Sequence, residues 1–252
     1  MNGQGDTLCN RVSGVGCFFL SICDGLMRRV DLKDDRSNIQ AMTIPPAKPR
    51  RPGRPPNVDR ENVETREALI RCGTEVLTEQ GFMATGIDGI LKRVGVPKGS
   101  FYHYFVSKEA FGRAVLDNYA GFFSRKLDCW LLDESMSPLE RLAGFVQDAK
   151  VSMARYDYRR GCMVGNLGQE ISVLPEGFRE TLENIFRDWQ MKLTVCLEAA
   201  QAAGELSADA DCTELAAFFW IGWEGAVLRA RLVQSDTPLN TFIAGFLRGL
   251  PQ

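Results

Sequence analysis

The sequence has a single histidine, His103, and lacks any long apolar run. One histidine argues against a histidine-rich metal centre, and the absence of roughly 18–20 consecutive apolar residues excludes an integral membrane protein. The eight cysteines show no repeated CxxC or Cys/His spacing, so neither a zinc site nor a disulfide framework is expected. Reduced thiols in a cytoplasmic protein without metal or cofactor are the simplest interpretation.

The chain also lacks a large net charge. Its 252 residues include 30 basic and 32 acidic side chains, a formal net charge of −2, which by itself argues against a nucleic-acid partner. This average covers unlike segments: residues 1–42 are neutral, residues 43–105 carry +3 and residues 106–252 carry −5. A basic segment ahead of an acidic body predicts that only one part of the chain faces a polyanion.

The first 57 residues fall into two parts. Residues 1–42 are predicted to be a disordered extension or the product of a start assigned too early, with Met42 as the alternative start. Residues 43–57 are rich in proline, which forbids a helix or a central strand. They are either a solvated linker or a basic arm that contacts DNA, through Arg50, Arg51 and Arg54.

Residues 58–107 are predicted to form three helices, of which the third is very short. Apolar residues at helical spacing indicate the first, and Thr85 with Asp88 three residues later has the pattern of a capping box that opens the second. Gly95 is suited to a tight turn, and Pro97 to the first turn of the third helix. Two helices joined by a short turn that contains glycine are typical of a helix-turn-helix, a DNA-binding unit.

The third helix carries side chains that can donate hydrogen bonds to phosphate or base edges. Phe101 and Phe105 are expected in the core. Packing is the alternative for every aromatic here, but one helix cannot bury all three of Tyr102, His103 and Tyr104.

The stretch from Ala68 to Lys108, and above all the segment GFMATGIDGILKRVGVPKGSFYHYFVSKEAF, resembles the DNA-binding domain of TetR/AcrR-type repressors. The resemblance implies an all-α protein, a double-stranded DNA operator as partner, and no catalysis. It also implies seven DNA contacts, of which the sequence does not say which read bases: Thr85, Lys98, Ser100, Tyr102, His103, Tyr104 and Lys108.

Residues 108–252 show helical patterns without strand-like alternation, which predicts a helical ligand-binding and dimerisation domain. A glycine-rich stretch at 160–170 interrupts the pattern. Helix 211–233 is apolar nearly all round its middle, so it must be covered on more than one side. TetR-type proteins pair through their last two helices, so the resemblance implies a homodimer through 211–233 and 237–249; a monomer is the alternative.

The segments RRGCMVGNLGQE and FWIGWEGAVLRARL resemble the acrylate-responsive subgroup of this family. The resemblance implies a small-molecule effector, such as a short unsaturated carboxylate or its thioester, whose binding releases DNA. Polar donors and aromatic walls for such a pocket are predicted at Arg160, Asn166, Gln169, Trp189, Trp220 and Trp223. Core packing is the alternative for each tryptophan, and a helix cap for Arg160.

Cys162 supports a second hypothesis, a repressor that senses electrophiles or redox state. Arg160 nearby would lower the pKa of the thiol, whereas an isolated cysteine is more often a small buried hydrophobe. Cys162 with His103 is the one thiol–imidazole pairing that an enzyme could use, and it would place the histidine in the recognition helix. An architectural DNA binder is a further alternative, although the long apolar helices beyond residue 105 argue against it.

Overall fold

The computed structural model describes residues 58–252, with side chains described from Asn62 onward. These residues form nine α-helices and no strand, which confirms the all-α prediction. The helices are α1 (Val58–Gln80), α2 (Ile87–Val94), α3 (Lys98–Tyr104), α4 (Lys108–Leu131), α5 (Pro138–Arg155), α6 (Met163–Gln169), α7 (Phe178–Ala202), α8 (Cys212–Val233) and α9 (Thr237–Arg248). The predicted segments 1–42 and 43–57, with Arg50, Arg51 and Arg54, lie outside the described residues.

The second helix begins later than the sequence predicts. Its N-cap is Gly86, which makes no side-chain cap, and the predicted capping box at Thr85 is therefore wrong. The Thr85 side chain is buried, and its hydroxyl donates instead to the carbonyl of Gly81 over 2.5 Å. The hydroxyl thus closes the turn that follows α1, where Gly81 has a φ of +80°.

The glycine-rich stretch contains a helix that the sequence pattern does not reveal. Helix α6 has seven residues, and Cys162 is its N-cap, with Sγ accepting from the backbone N–H of Gly165 at 3.5 Å. Met163, Val164 and Leu167 are fully buried. Burial of these three side chains offsets the low helix propensity of the glycines.

The long helix α4 joins the two halves of the described chain. Near its start it packs against α1, and further along it packs against α5 and α7. Helix α8 packs between α7 and α9, and aromatic side chains such as Phe145, Trp189 and Phe219 fill the space between these helices. The buried side chains of α4 belong to one core that includes residues of α1 and of the later helices, so α4 connects the two halves directly.

Within residues 58–252, no helix combines the length and apolarity needed to cross a bilayer. The His, Cys, Asp and Glu side chains of the same region do not gather into a group of three suited to a metal ion.

Candidate functional site

The turn between α2 and α3 presents α3 at the surface. Gly95 has a φ of +77°, and its N–H bonds the carbonyl of Leu91, which ends α2. Phe101 is fully buried, whereas Tyr102 is 60% exposed and His103 is exposed as well. Helix α3 therefore exposes a phenol and an imidazole, and side chains of this kind can hydrogen-bond to base edges in a DNA groove.

Two of the other predicted contacts on α3 have partners within the protein. The ammonium of Lys98 lies 3.0 Å from the carboxylate of Asp88, and both side chains are about 70% exposed. The hydroxyl of Tyr104 donates to Oδ1 of Asn62 at 3.3 Å. Lys98 remains accessible to a phosphate, while Tyr104, half-buried, is partly used to fix α3 on α1.

Thr85, Ser100 and Lys108 complete the predicted set. The Thr85 side chain is buried and its hydroxyl donates within the protein, so the structure does not present this hydroxyl to DNA. Ser100 is half-buried. Nζ of Lys108 lies 4.6 Å from the centre of the Phe82 ring and 3.4 Å from the carbonyl of Met83. Burial lowers the pKa of Lys108, and the charge of Glu170 opposes that shift.

A depression of about 260 Å³ lies between these side chains. Four of the residues that line it are predicted DNA contacts: Thr85, Lys98, Tyr102 and Lys108. This brings the start of α3 and the start of α4 to one surface, as a phosphate site would require.

The three tryptophans predicted as pocket walls lie in the core of residues 108–252, which are called the helical body below. Trp189, Trp220 and Trp223 are at most 4% exposed. Trp189 and Trp220 have ring centres 5.2 Å apart, and the ring of Phe123 lies 4.4 Å from that of Trp189. The indole Nε1 atoms of Trp189 and Trp220 are buried without a hydrogen-bond partner, which is costly for a donor in an apolar core.

A polar cluster lies beside these rings. The thiol of Cys162 interacts with the hydroxyl of Tyr119 and with the carboxyl of Glu224. Gly165 leaves room for the Glu224 carboxyl, which occupies the place that a Cβ of residue 165 would take. As a whole residue Glu224 is only partly buried, but its Oε1 is shut off from solvent and has no partner.

Burial controls the acidity of this cluster. It raises the pKa of Glu224 to about 7, against which the hydrogen bond with Cys162 acts. Burial, together with the charge of Glu224, raises the pKa of the Cys162 thiol well above its usual value. The expectation that Arg160 lowers this pKa is therefore wrong: the effect of burial dominates, and Arg160 points elsewhere.

Two of the predicted polar donors of the pocket, Arg160 and Asn166, bind α1 instead. Nε of Arg160 lies 2.9 Å from the carboxylate of Glu79, and its guanidinium stacks 4.0 Å from the centre of the Tyr156 ring. Nδ2 of Asn166 donates to the carbonyl of Thr78 at 2.8 Å. These two side chains hold the helical body to the DNA-binding unit.

Gln169 and Arg231 form hydrogen bonds with different parts of the protein. Gln169 is exposed, and its amide donates to the carbonyl of Gly165 in its own helix. Arg231 of α8 donates to Oδ1 of Asn166 at 2.7 Å and to the carbonyl of Glu79 at 3.1 Å. Arg231 therefore extends the contact from α1 through α6 to α8.

Glu170, at the end of α6, makes a second contact with the DNA-binding unit. Its Oε2 accepts from the backbone N–H groups of Phe82 and Met83 at 2.9 and 3.0 Å. The loop between α1 and α2 is thereby held by a carboxylate of the helical body, close to Lys108. Helix α6 has the Cys162 cluster at one end and this loop at the other.

Sequence reasoning missed Tyr119, Glu170, Glu224 and Arg231. For Glu224 a signal was present, because it is a lone carboxylate in a stretch of α8 that is otherwise apolar or glycine. Glu170 and Arg231 bond to atoms 65 to 152 residues away in the chain. No spacing in the sequence indicates such pairs.

A groove of about 420 Å³ opens between α4 and α7. Trp189 forms part of its lining, as do two carboxylates, Asp117 and Asp188. No lysine or arginine lines it.

An apolar stripe runs along the exposed side of α8. Phe218, Ile221, Leu228 and Leu232 are between 37% and 76% exposed, and Gly225 lies between them at the same surface. Their spacing of three, seven and four residues places them on one face of the helix. Contiguous apolar surface of this kind marks an interaction site.

Comparison with known proteins agrees with these features. Residues 69–115 match the family of bacterial regulatory proteins called tetR, and residues 138–246 match the tetracyclin repressor-like C-terminal domain. The chain is 49% identical over 203 residues to the transcriptional regulator AcuR of Cereibacter sphaeroides, which covers 81% of this chain and 92% of AcuR. The chain belongs to the TetR family.

Solved structures of TetR-family proteins have the same fold. A crystal structure of regulatory protein TetR from Rhodobacter sphaeroides is 49% identical, with a TM-score of 0.72, and covers 74% of this chain and 98% of that one. The reduced form of Escherichia coli NemR is 30% identical, with a TM-score of 0.67, and covers 73% and 95%. TetR regulators bind DNA and effectors, typically as dimers, so this chain is a transcriptional regulator with a DNA-binding helix-turn-helix.

Proposed function

We propose that this protein is a repressor that binds a palindromic operator as a homodimer and is released by a small molecule. The observation that carries the proposal is the exposed recognition helix α3, joined to a sensing core by α4 and α6. Two copies of so short a helix read two half-sites, whose spacing is set by the dimer. The cytoplasmic location belongs to the same proposal, because such a regulator acts at the chromosome.

The predicted DNA contacts form the interface in this proposal. Tyr102 and His103 face the groove, Lys98 and Lys108 contact phosphates, and Ser100 and Tyr104 support the ends of α3. Arg50, Arg51 and Arg54 would add contacts from the basic arm.

The homodimer is proposed to form through α8 and α9. The apolar stripe from Phe218 to Leu232 supports this, because an unpaired stripe of that length on the surface of a monomer would be a liability. Gly225 allows close approach of the partner helix. Two-fold symmetry places the same stripe of both protomers against each other.

Release of DNA is proposed to run through α6. An effector that shifts the Cys162 end of α6 also shifts Asn166 and Glu170, which hold α1 and the loop after it. The resulting tilt of the DNA-binding unit changes the distance between the recognition helices α3 of the two protomers. A coupling energy of about 1–3 kcal/mol would lower operator affinity roughly 5- to 150-fold.

The effector class follows from the resemblance to the acrylate-responsive subgroup and from the likeness to AcuR. It is a short unsaturated carboxylate or its thioester. A second candidate is a repressor that senses electrophiles through Cys162, supported by the likeness to NemR and by the position of the thiol at the N-terminus of α6. The raised pKa of Cys162 favours the first candidate, because the neutral thiol is a weak nucleophile.

The test is fluorescence anisotropy with labelled DNA from the region upstream of the protein's own gene, with and without acrylate. We expect saturable binding that a scrambled duplex does not show, and release by the ligand. Binding that ignores sequence would refute the operator. Loss of the response to acrylate in Cys162→Ser, with operator binding kept and with no response of the wild type to the saturated analogue propionate, would favour the electrophile sensor.

A further inference from the structure

The C-terminal end of α1 is capped by side chains of the helical body. The last four carbonyls of an α-helix lack partners within the helix, and α1 has no basic residue in its own last turn. The carbonyl of Thr78 accepts from Nδ2 of Asn166 at 2.8 Å, and the carbonyl of Glu79 accepts from Nη2 of Arg231 at 3.1 Å. Arg231 therefore supplies the cation that favours this end of the helix dipole.

The path of the Arg231 side chain accounts for the glycine at position 161. A Cβ at Gly161 would lie 2.6 Å from Cδ of Arg231, closer than non-bonded heavy atoms approach, and 3.5 Å from Cγ1 of Val227. A larger residue there would push the arginine aside. Nη1 of Arg231 also donates to Oδ1 of Asn166 at 2.7 Å, so both outer nitrogens of the guanidinium have an acceptor.

Helix α8 makes this contact in the same turn in which its apolar stripe ends. Leu232, the last side chain of the stripe, is 70% exposed and directly follows Arg231, which is half-buried. The face of α8 that is proposed to contact the partner protomer therefore lies next to the arginine that contacts α1. A single side chain connects that face to the DNA-binding unit without passing through α4.

Helix α4 also joins the two halves of the described chain, but its contact with α1 is of another kind. Phe111 and Val115 of α4, which pack against Gly73 of α1, are buried and apolar. Apolar contact is non-directional, so it resists a small rotation of one helix on the other only weakly. The hydrogen bonds of Arg231 are charge-assisted and reach two separate acceptors, so they specify one orientation.

We propose that Arg231 is the positioning residue that fixes the orientation of each DNA-binding unit on α8 and thereby sets the half-site spacing that the dimer accepts. This rests on the proposed homodimer and operator and deepens them, because it names the side chain through which pairing of the two chains determines the distance between their helices α3. Arg231 acts through α1 and does not itself contact DNA.

Half-site spacing gives a direct measure of this role. Adding one base pair between two half-sites moves one of them by about 3.4 Å and turns it by about 34° relative to the other. A dimer whose units are held in one orientation binds the altered palindrome weakly, whereas a dimer whose units rotate binds both forms. The sensitivity to spacing therefore reports how firmly the unit is held, separately from how well it reads a half-site.

The experiment uses the full-length protein and the palindrome that footprinting locates upstream of its own gene. Fluorescence anisotropy gives the Kd for this palindrome, for versions with one base pair more or fewer between the half-sites, and for a single half-site. The wild type should bind the altered spacings at least about tenfold more weakly than the native one. In Arg231→Met, which keeps the apolar stem and removes the guanidinium, this ratio should fall below about threefold, with the half-site Kd unchanged within about twofold.

Two further variants make the comparison specific. Gly161→Ala keeps the arginine but displaces its side chain, so the spacing ratio should fall as in Arg231→Met. Arg229→Met, at an exposed position of the same helix, is the matched control and should keep the wild-type ratio. Light scattering should show a dimer for every variant.

The role of Arg231 is overturned if Arg231→Met keeps the wild-type ratio, binds the half-site more weakly or is a monomer. It is also overturned if the wild type has no spacing preference or if Arg229→Met loses that preference to the same extent. The wild type separates the two levels of the argument. If it binds its palindrome as a dimer, the proposed function stands whatever the ratios show; if it does not, the proposed function and the role of Arg231 both fail.

Discussion

Replacing Glu224 by glutamine removes one buried ionisable group and keeps its shape. In the folded protein burial raises the pKa of Glu224 to about 7, from an ordinary value of 4.5. The folded chain therefore holds this proton more tightly than the unfolded chain does. Stability from this proton is fully present below pH 4.5 and is lost as the pH rises to about 7.

The size of the effect follows from the gap between the two pKa values. Each pKa unit corresponds to about 1.4 kcal/mol, so the gap amounts to about 3 kcal/mol, of which about 2.5 kcal/mol lies between pH 5 and pH 8. The variant Glu224→Gln lacks this dependence. Its free energy of unfolding, relative to the wild type, should rise by that amount from pH 5 to pH 8.

Urea unfolding at a fixed protein concentration, at pH 5, 6, 7 and 8, measures this difference. Any constant cost of the amide at this site cancels, because only the change with pH is compared. Glu214→Gln on the surface of α8 is the control and should follow the wild type at every pH. If the free energy of unfolding of Glu224→Gln differs from that of the wild type by the same amount at pH 5 and at pH 8, the assignment of a buried, neutral carboxyl is refuted.

Three further predictions concern packing, coupling and assembly. Gly73→Ala should lower the free energy of unfolding by about 1–3 kcal/mol, because the added methyl meets two core side chains of α4 at 2.5 and 2.7 Å; Gly89→Ala, with open space around it, should not, as urea unfolding of both will test. Glu170→Ala should speed hydrogen exchange of the loop between α1 and α2, since two amides lose their acceptor; unchanged exchange would exclude the contact in solution. Ile221→Glu should shift the protein from dimer to monomer in light scattering, whereas Val173→Glu, at an apolar and exposed position outside α8, should leave a dimer; a dimeric Ile221→Glu would place the interface elsewhere.

Local signals in the sequence predicted most of the fold. Helices α8 and α9 begin and end within about one residue of the predicted positions 211–233 and 237–249, because glycine, proline and the apolar period act over a few residues. The role of the Thr85 hydroxyl was predicted wrongly. This hydroxyl could cap α2 or donate to the carbonyl of Gly81, and the sequence does not say which partner is nearer. Helix α6 was missed because burial outweighs the propensity of its glycines.

The candidate effector site was predicted less well. The aromatic walls were placed in the right core, but Arg160 and Asn166 bond to α1 through contacts that span more than 80 residues. A cation beside a glycine-rich segment has the same sequence pattern whether it binds a ligand or another helix. Glu224, by contrast, can be singled out from the sequence of α8 alone, because an unpaired acid among aromatic residues requires an explanation.

The exposed ion pair between Lys98 and Asp88 has a consequence for how the free protein meets polyanions. A phosphate that approaches Lys98 must displace a carboxylate that already neutralises it. Association therefore releases fewer counterions than the number of lysines and arginines on this face would indicate, and affinity for arbitrary DNA falls less steeply with salt. The carboxylate thus acts as an intramolecular competitor, and it penalises duplexes that offer charge without the matching base edges.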